Sequence, residues 1–144
     1  MIVPPIKVVT KINKPLEEVW RILFNENGWD PWFTSGMKLD LKEGGEIFFR
    51  WVIEGEEVID RGVNVAVIPK KLWEFHWNEY EDGYRSRTII RFHEALDSGT
   101  WVEIEDKVLV LNEKDLEIAF SCAAGWGEFI TRLKLYAEEG LIVK

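Results

Sequence analysis

The stretch Asn112–Gly140, NEKDLEIAFSCAAGWGEFITRLKLYAEEG, determines how the rest of this chain can fold. Its apolar or small side chains recur at alternating steps of three and four residues: Leu116, Ala119, Ala123, Trp126, Ile130, Leu133 and Ala137. This spacing aligns them along one face of an α-helix. Asn112 is a suitable N-cap and Gly140 a suitable C′ residue. A helix of roughly 40 Å needs a sheet to cover its apolar face, because no earlier segment is long enough to pair with it.

Ahead of this helix, apolar residues alternate with polar ones, which is typical of half-buried strands. The predicted strands are Ile6–Ile12, Met37–Lys42, Glu46–Ile53, Glu57–Ile68, Leu72–Asn78, Arg85–Ala95 and Thr100–Leu111. Between the first two, a short helix opens at Lys14-Pro15 and the aromatic run Trp29–Phe33 is predicted to form a second short helix. Turn residues between the alternating runs indicate an antiparallel meander. We expect an α+β fold, with a curved antiparallel sheet of about seven strands wrapped around the long C-terminal helix.

Composition limits the classes of function. The 144 residues predict a single domain, 1–144, with one sizeable core. The net charge of −8 argues against a nucleic-acid partner, since phosphate binding needs a basic surface. No apolar run reaches the roughly 20 residues of a membrane span, and the N-terminus lacks a signal-peptide pattern. We therefore expect a cytoplasmic protein, and the absence of Gln beside abundant Glu and Lys predicts a melting midpoint above roughly 45–65 °C.

Several short motifs occur in an order and spacing that resemble one known family. They are Lys14-Pro15, Val19-Trp20, Trp32-Phe33, Asp40–Gly45, Gly62-Val63, Val67-Ile68-Pro69, Leu72, Trp77, Gly99-Thr100 and Gly125-Trp126. With them the chain resembles the START-like, birch-pollen-allergen-like (SRPBCC) superfamily, and within it the activator of heat-shock-protein-90 ATPase homologues. The resemblance implies a helix-grip domain with a cavity between helix and sheet, which holds apolar small molecules or lipids in relatives. Chaperone-activating relatives carry a further N-terminal domain for which this chain has no room, so we do not expect a co-chaperone role.

Aromatic residues provide the candidate lining of that cavity. The predicted wall consists of Phe49, Trp51, Trp77, Phe92, Trp126, Ile130 and Leu133, and the predicted mouth of Trp29, Trp32 and Phe33. Ordinary core packing explains the same aromatic residues, because their rings supply large buried areas. The small residues of Ser121–Gly125 predict free volume beside the helix, with Ala123 facing the sheet. Close approach of helix and sheet is the alternative for this stretch.

Side chains of a strand point alternately to its two faces, so the residues on the concave face can be assigned from the alternation. Few polar residues fall on that face: Arg61, Ser86, Thr88 and Asp106. Buried polar groups need partners, so these residues are candidates to anchor the polar end of a ligand. The alternative is that they lie near strand ends, or that a bulge at Gly62 turns Arg61 outward. Arg61 and Asp106 are the polar members of the predicted ligand-binding set.

No catalytic or metal-binding motif accompanies this set. Cys122 is predicted to be buried and inert, since nothing in the pattern lowers its pKa. By the alternation of their strands, His76 and His93 lie on the outer face of the sheet. Neither has a second metal-binding residue at the spacing of a known metal site. We predict no catalytic residue, no metal and no cofactor, and the pattern indicates no particular protein partner.

The favoured hypothesis is therefore binding of a small apolar or amphipathic molecule in an internal cavity. Two alternatives remain: a cyclase- or hydrolase-like enzyme using Arg61 or Asp106, and a co-chaperone-type interaction module, which would need an exposed apolar patch.

Overall fold

The computed structural model describes residues 3–77 and 86–143. The elements are β1 (Ile6–Ile12), α1 (Leu16–Leu23), β2 (Lys38–Leu39), β3 (Glu46–Ile53), β4 (Glu56–Ile68), β5 (Leu72–Trp77), β6 (Ser86–Glu94), β7 (Thr100–Val108) and α2 (Glu113–Glu139). All seven strands form one antiparallel sheet in the order β1-β7-β6-β5-β4-β3-β2. The predicted α+β helix-grip architecture is confirmed. The predicted end of one strand at Asn78 and start of the next at Arg85 lie outside the described residues.

Helix α2 begins and ends where its capping residues predict. The Asn112 side chain accepts a hydrogen bond from the Asp115 backbone N–H at 2.9 Å, and Gly140 adopts a left-handed conformation with φ of 67°. Asp115 in turn accepts a hydrogen bond from the Leu111 N–H at 2.9 Å. These contacts satisfy backbone groups that a helix end leaves unpaired. Among the described residues, α1 is too short and α2 too polar to cross a membrane.

The prediction of a second short helix at Trp29–Phe33 is wrong: residues 26–33 form consecutive turns. The Trp29 carbonyl accepts hydrogen bonds from the backbone N–H groups of Trp32, Phe33 and Thr34, which closes the chain locally without extending a helix. Asp30 Oδ1 accepts hydrogen bonds from Thr34 and from two later backbone N–H groups, at 2.7–2.8 Å. Asp30 therefore offers the backbone an alternative to helical bonding, as Asp side chains commonly do.

Strand β4 contains a bulge between Asn64 and Ala66 that changes which residues face the core. Before the bulge, Gly62 and Asn64 are buried, whereas Val63 between them is only partly buried. The Asn64 amide donates to the carbonyls of Asp40 and Lys42 and its oxygen accepts from Trp73 Nε1, at 2.7–2.9 Å. These bonds fix the side chain inward. A bulge inserts one residue and reverses parity beyond it.

Helix α2 packs unevenly on this sheet. In its first part, Glu113–Gly125, only Asp115 and Ala119 are buried. In its second part the buried residues are Trp126, Phe129, Ile130, Leu133 and Ala137. We call the two parts the open half (Glu113–Gly125) and the packed half (Trp126–Glu139). Phe120, in the open half, is 67% exposed.

Candidate functional site

A groove of about 1060 Å³ lies between the open half of α2 and the concave face of the sheet. Among the described residues, six aromatic side chains line its walls: Trp29, Phe33, Trp51, Trp77, Trp126 and Phe129. Residues 52–54, at the tip of the β3–β4 hairpin, form one rim and are exposed. The groove thus opens to solvent at the hairpin tip, and its size suits a small organic molecule.

Small side chains of α2 leave this space unfilled. Ser121, Cys122 and Gly125 line the groove. A Cβ placed on Gly125 would meet no atom within 4 Å. Large apolar residues at these positions would fill the space and give a core of ordinary density. Side-chain size in α2 therefore determines how much space remains between helix and sheet.

Ring packing holds the aromatic walls in place. Phe49, fully buried, stacks on Trp77 with ring centroids 4.2 Å apart and on Trp51 at 5.7 Å. On the helix side, Phe129 packs edge-on against Trp29 at 4.7 Å and against Trp126 at 5.1 Å. Both separations lie within the range of favourable aromatic pairs. A ligand in the groove therefore meets ring surfaces that are already positioned.

Of the carboxylates in the described groove lining, only Asp106 is almost fully buried, with 1% of its surface exposed. Its Oδ1 accepts hydrogen bonds from the hydroxyls of Ser86, at 2.8 Å, and Thr88, at 3.1 Å. Its Oδ2 accepts from Trp126 Nε1 at 2.8 Å. Strand register explains the grouping, because β7 places Asp106 opposite Thr88 of β6. Three donors thus converge on one carboxylate at the floor of an apolar groove.

The directions of these hydrogen bonds follow from the tryptophans, because an indole N–H can only donate. Trp77 Nε1 donates to Thr88 Oγ1 at 3.1 Å, which leaves the Thr88 hydroxyl hydrogen to donate to Asp106. Asp106 is therefore the final acceptor of the network. A carboxylate offers about four acceptor positions, so Oδ2 retains one for a further donor.

Burial raises the pKa of Asp106 above its usual value near 3.8, and the hydrogen bonds from Trp126, Ser86 and Thr88 only partly offset this effect. Within residues 3–77 and 86–143, no Lys, Arg or His forms an ion pair with it. A carboxylate without a cationic partner in an apolar site is costly to ionise. It can be stabilised by a proton or by a positively charged ligand.

Acidic residues outnumber basic ones in the rest of the groove. The charged lining residues are Glu54, Asp60, Lys114, Glu117, Glu128 and Arg132. Arg132 forms an ion pair with Glu128 at 3.5 Å and lies 5.5 Å from the centroid of the Phe33 ring. Counting Asp106, the described lining contains five acids and two bases.

Six of the predicted ligand-binding residues lie together in the groove: Trp29, Phe33, Trp51, Trp77, Asp106 and Trp126. Four others are core residues that do not line it: Phe49, Phe92, Ile130 and Leu133. Phe49 lies behind Trp51 and Trp77, and Phe92 packs on Trp20 at 5.0 Å. The apolar face of the sheet extends beyond the groove. The alternation along the strands therefore could not distinguish residues that line the groove from residues that are packed in the core.

Arg61 is not in the groove, contrary to prediction. It is exposed on the outer face of the sheet, and its guanidinium lies 5.1 Å from the centroid of the Phe48 ring. The register pairs Arg61 with Phe48, whereas the inward Gly62 pairs with Ile47. The prediction placed Arg61 on the concave face by assuming strict alternation along the whole of β4, but the bulge after Asn64 interrupts that alternation.

Ala123 also lies outside the groove lining, although its neighbour Cys122 is part of it. Successive helical residues are about 100° apart, so a shift of one position moves a side chain off the groove. Cys122 is half-buried rather than buried as expected. Of the predicted mouth residues, Phe33 is partly exposed at the groove, whereas Trp32 is buried against Phe129, with ring centroids 5.0 Å apart, away from it.

A second stripe of α2 contains groove residues that our site prediction missed. It consists of Ile118, Cys122, Gly125, Phe129 and Arg132, spaced at four, three, four and three residues. It is displaced by one residue from the main apolar stripe, and its mixed polarity made it less visible. Recognising this second helical period in the sequence would have identified Phe129 and Arg132.

The two histidines remain apart from this site. His93 is exposed, and His76 pairs in register with Val63 and Arg87, away from the groove. In the described parts of the chain, no three His, Cys, Asp or Glu residues are close enough together to hold a metal ion.

Comparison with known proteins identifies a family whose sequence profile matches most of this chain. Residues 13–138 match the profile described as "Activator of Hsp90 ATPase homolog 1-like protein". No curated protein sequence shows significant similarity to the chain.

Solved structures show the same fold. The Aha1 dimer of Colwellia psychrerythraea is 18% identical, with a TM-score of 0.76 over 97% of this chain and 98% of that one. A protein of Staphylococcus saprophyticus is 20% identical, with a TM-score of 0.75 over 97% and 96%. CalU16 of Micromonospora echinospora is 25% identical, with a TM-score of 0.66 over 90% and 71%.

Proposed function

Because the chain belongs to the activator of Hsp90 ATPase homolog 1-like family, we propose that it binds a small amphipathic molecule in the groove beneath the open half of α2. The observation that carries this proposal is the combination of six aromatic rings with one buried carboxylate around a space of about 1060 Å³. Apolar walls with a few convergent polar groups are typical of small-molecule sites. The apolar body would lie against the rings, and its polar end would reach Asp106.

Binding of the neutral dye Nile red, followed by fluorescence, tests this proposal. Gly125→Leu adds a large side chain to the groove, and we expect it to weaken dye binding by about tenfold or more, equivalent to roughly 1.4 kcal/mol. Gly127→Leu is the matched control, because Gly127 also has free space at its Cβ position but does not line the groove.

Both substitutions replace a poor helix former by a good one, so neither is expected to unfold α2. Native mass spectrometry of the purified protein would complement the titration by detecting a co-purified small molecule. Equal dye affinity in the Gly125→Leu and Gly127→Leu variants, or no dye binding by the wild type, would contradict the proposal.

Asp106 favours a second candidate, a hydrolase- or cyclase-like activity. A carboxyl group with a raised pKa in an apolar site can act as a general acid or base. The predicted companion Arg61 is on the outer face, so Asp106 would have to carry this role with hydroxyl and indole partners. Incubating the protein with a co-purified molecule and following its mass tests this candidate. Conversion by the wild type but not by Asp106→Asn would support it.

A further inference from the structure

We propose that the groove is selective for an organic ammonium ion, a protonated amine attached to an apolar body. This inference rests on the proposed function, because it concerns the polar end of the molecule that the groove binds. Three independent features of the site lead to it: the direction of its hydrogen bonds, the aromatic rings beside its carboxylate, and the balance of charge around it.

When Asp106 is ionised, the hydrogen-bond network favours a ligand that donates. Every bond in it runs toward Asp106: from Trp126 directly, from Ser86 directly, and from Trp77 through the hydroxyl of Thr88. These three donors leave one acceptor position on Oδ2. A ligand carbonyl or carboxylate would place an acceptor against an acceptor, whereas an N–H group completes the set.

Aromatic rings favour a cationic donor over a neutral one. The indoles of Trp77 and Trp126 line the groove and belong to the same network as Asp106. Ring faces attract cations through their quadrupole, and cages of aromatic rings recognise organic ammonium groups in this way. A neutral alcohol would satisfy the hydrogen bond at Oδ2 but would leave the buried negative charge unbalanced.

The charged side chains around the groove also favour a cationic ligand. Five acidic side chains and two basic ones are among the described residues that line the groove, so acidic groups are in excess by three. The whole chain carries a net charge of −8. The protein's field therefore attracts cations toward the groove and repels anions.

A series of three probes with one apolar body tests the selectivity: 4-phenylbutylamine, 4-phenylbutanol and 4-phenylbutyrate, with affinities measured by isothermal titration calorimetry. We expect the amine to bind wild-type protein about tenfold or more tightly than the alcohol, because hydrogen bonds to charged groups are the stronger ones. We expect the carboxylate to bind most weakly.

Asp106→Asn should lower the amine-to-alcohol affinity ratio to near one. The matched control is Glu103→Gln, which removes the same charge from the same strand. Glu103 is on the outer face, where it pairs with Arg91 at 3.7 Å, so its loss should leave the ratio unchanged.

The outcomes separate this inference from the proposed function. If the alcohol and Nile red bind but the amine has no advantage over the alcohol or the carboxylate, the selectivity for ammonium ions is wrong and the groove still binds small molecules. If none of the four probes binds wild-type protein, the proposed function itself fails. Because the wild-type series decides the question alone, a poorly folded Asp106→Asn variant would not obscure it. Retention of the amine preference in a folded Asp106→Asn protein would also overturn the inference.

Discussion

The two halves of α2 lie over the same sheet but meet it differently. The packed half contacts the core through large side chains such as Ile130 and Leu133, and its end is tied by hydrogen bonds to the end of β1 and the residue that follows it. The Asn13 backbone N–H donates to Glu138 at 2.9 Å, and Lys134 donates to the carbonyl of Lys11. The open half presents Ser121, Cys122 and Gly125 to the sheet and leaves a groove.

The difference shows that one continuous helix can separate stability from binding. Burial of large apolar side chains stabilises the packed half, at about 25 cal/mol per Å² of apolar surface. The open half gives up such burial, and the space contains the rings and the carboxylate proposed to contact a ligand. The residues that contribute most to stability should therefore differ in large part from those that determine binding, although Trp126 and Phe129, at the start of the packed half, are both buried and part of the groove wall.

The largest expected effect is at the packed half. Leu133 is fully buried, so Leu133→Ala should lower the free energy of unfolding by about 2–5 kcal/mol. Ile118→Ala removes a side chain of similar size from the open half, where Ile118 is only partly buried, and should cost less than about 2 kcal/mol. Urea denaturation of both variants measures the difference. Equal losses would show that the two halves contribute alike to stability.

An intermediate effect concerns the carboxylate beneath the open half. Since the pKa of Asp106 is raised in the folded protein, the native state binds its proton more tightly than the unfolded chain does. The stability associated with this group is therefore present below about pH 3.8 and is lost as the pH rises through the raised pKa. Each unit of that rise corresponds to about 1.4 kcal/mol.

Asp106→Asn isolates this contribution, because the hydroxyls of Ser86 and Thr88 can rotate to accept hydrogen bonds from the amide. Relative to Asp106→Asn, the wild type should lose stability with rising pH, as measured by urea denaturation between pH 4 and pH 8. Lys11 and Lys134 lower the pKa values of Asp97 and Glu138, but both carboxylates are present in both proteins and their effects cancel. A constant difference across this range would contradict the burial effect.

The smallest expected effect tests whether glycine in α2 costs stability. Gly125→Ala and Gly127→Ala should each raise the free energy of unfolding by about 0.5–1 kcal/mol, because alanine is the better helix former and both Cβ positions are free. Thermal unfolding of both variants measures the gain. A loss of stability in either would show that the glycine has a packing role that the structure does not reveal.

Much of the fold was predictable because it depends on local patterns. Alternation of polar and apolar residues predicted the strands, the steps of three and four predicted α2, and Asn112 and Gly140 predicted its ends. Each of these signals arises within a few residues of sequence. The strand and helix patterns also agree with each other, because a sheet with one apolar face is matched by a helix with one apolar face. The aromatic run Trp29–Phe33 was predicted as a helix, and the prediction failed because Asp30 bonds to the backbone of residues that come after it.

The candidate site was predictable only in part. Trp51, Trp77, Asp106 and Trp126 were selected by parity and helical spacing, and the structure places them at the groove. Arg61 was misplaced by a single bulge, and Ala123 by one residue of helical rotation. The two errors have different causes. The bulge interrupts the alternation of β4 on which the placement of Arg61 depended, whereas the groove lies beside a helical stripe one residue away from the stripe that contains Ala123.

By itself, the sequence determined the architecture, the extent and caps of α2, and the presence of small residues in its open half. These properties follow from side-chain size and periodicity, which act locally along the chain. Only the tertiary structure decided that the small residues border a groove, that Asp106 receives three hydrogen bonds, and that Arg61 lies outside. Those outcomes depend on which residues of different strands come into register, and register is set by contacts between segments far apart in sequence.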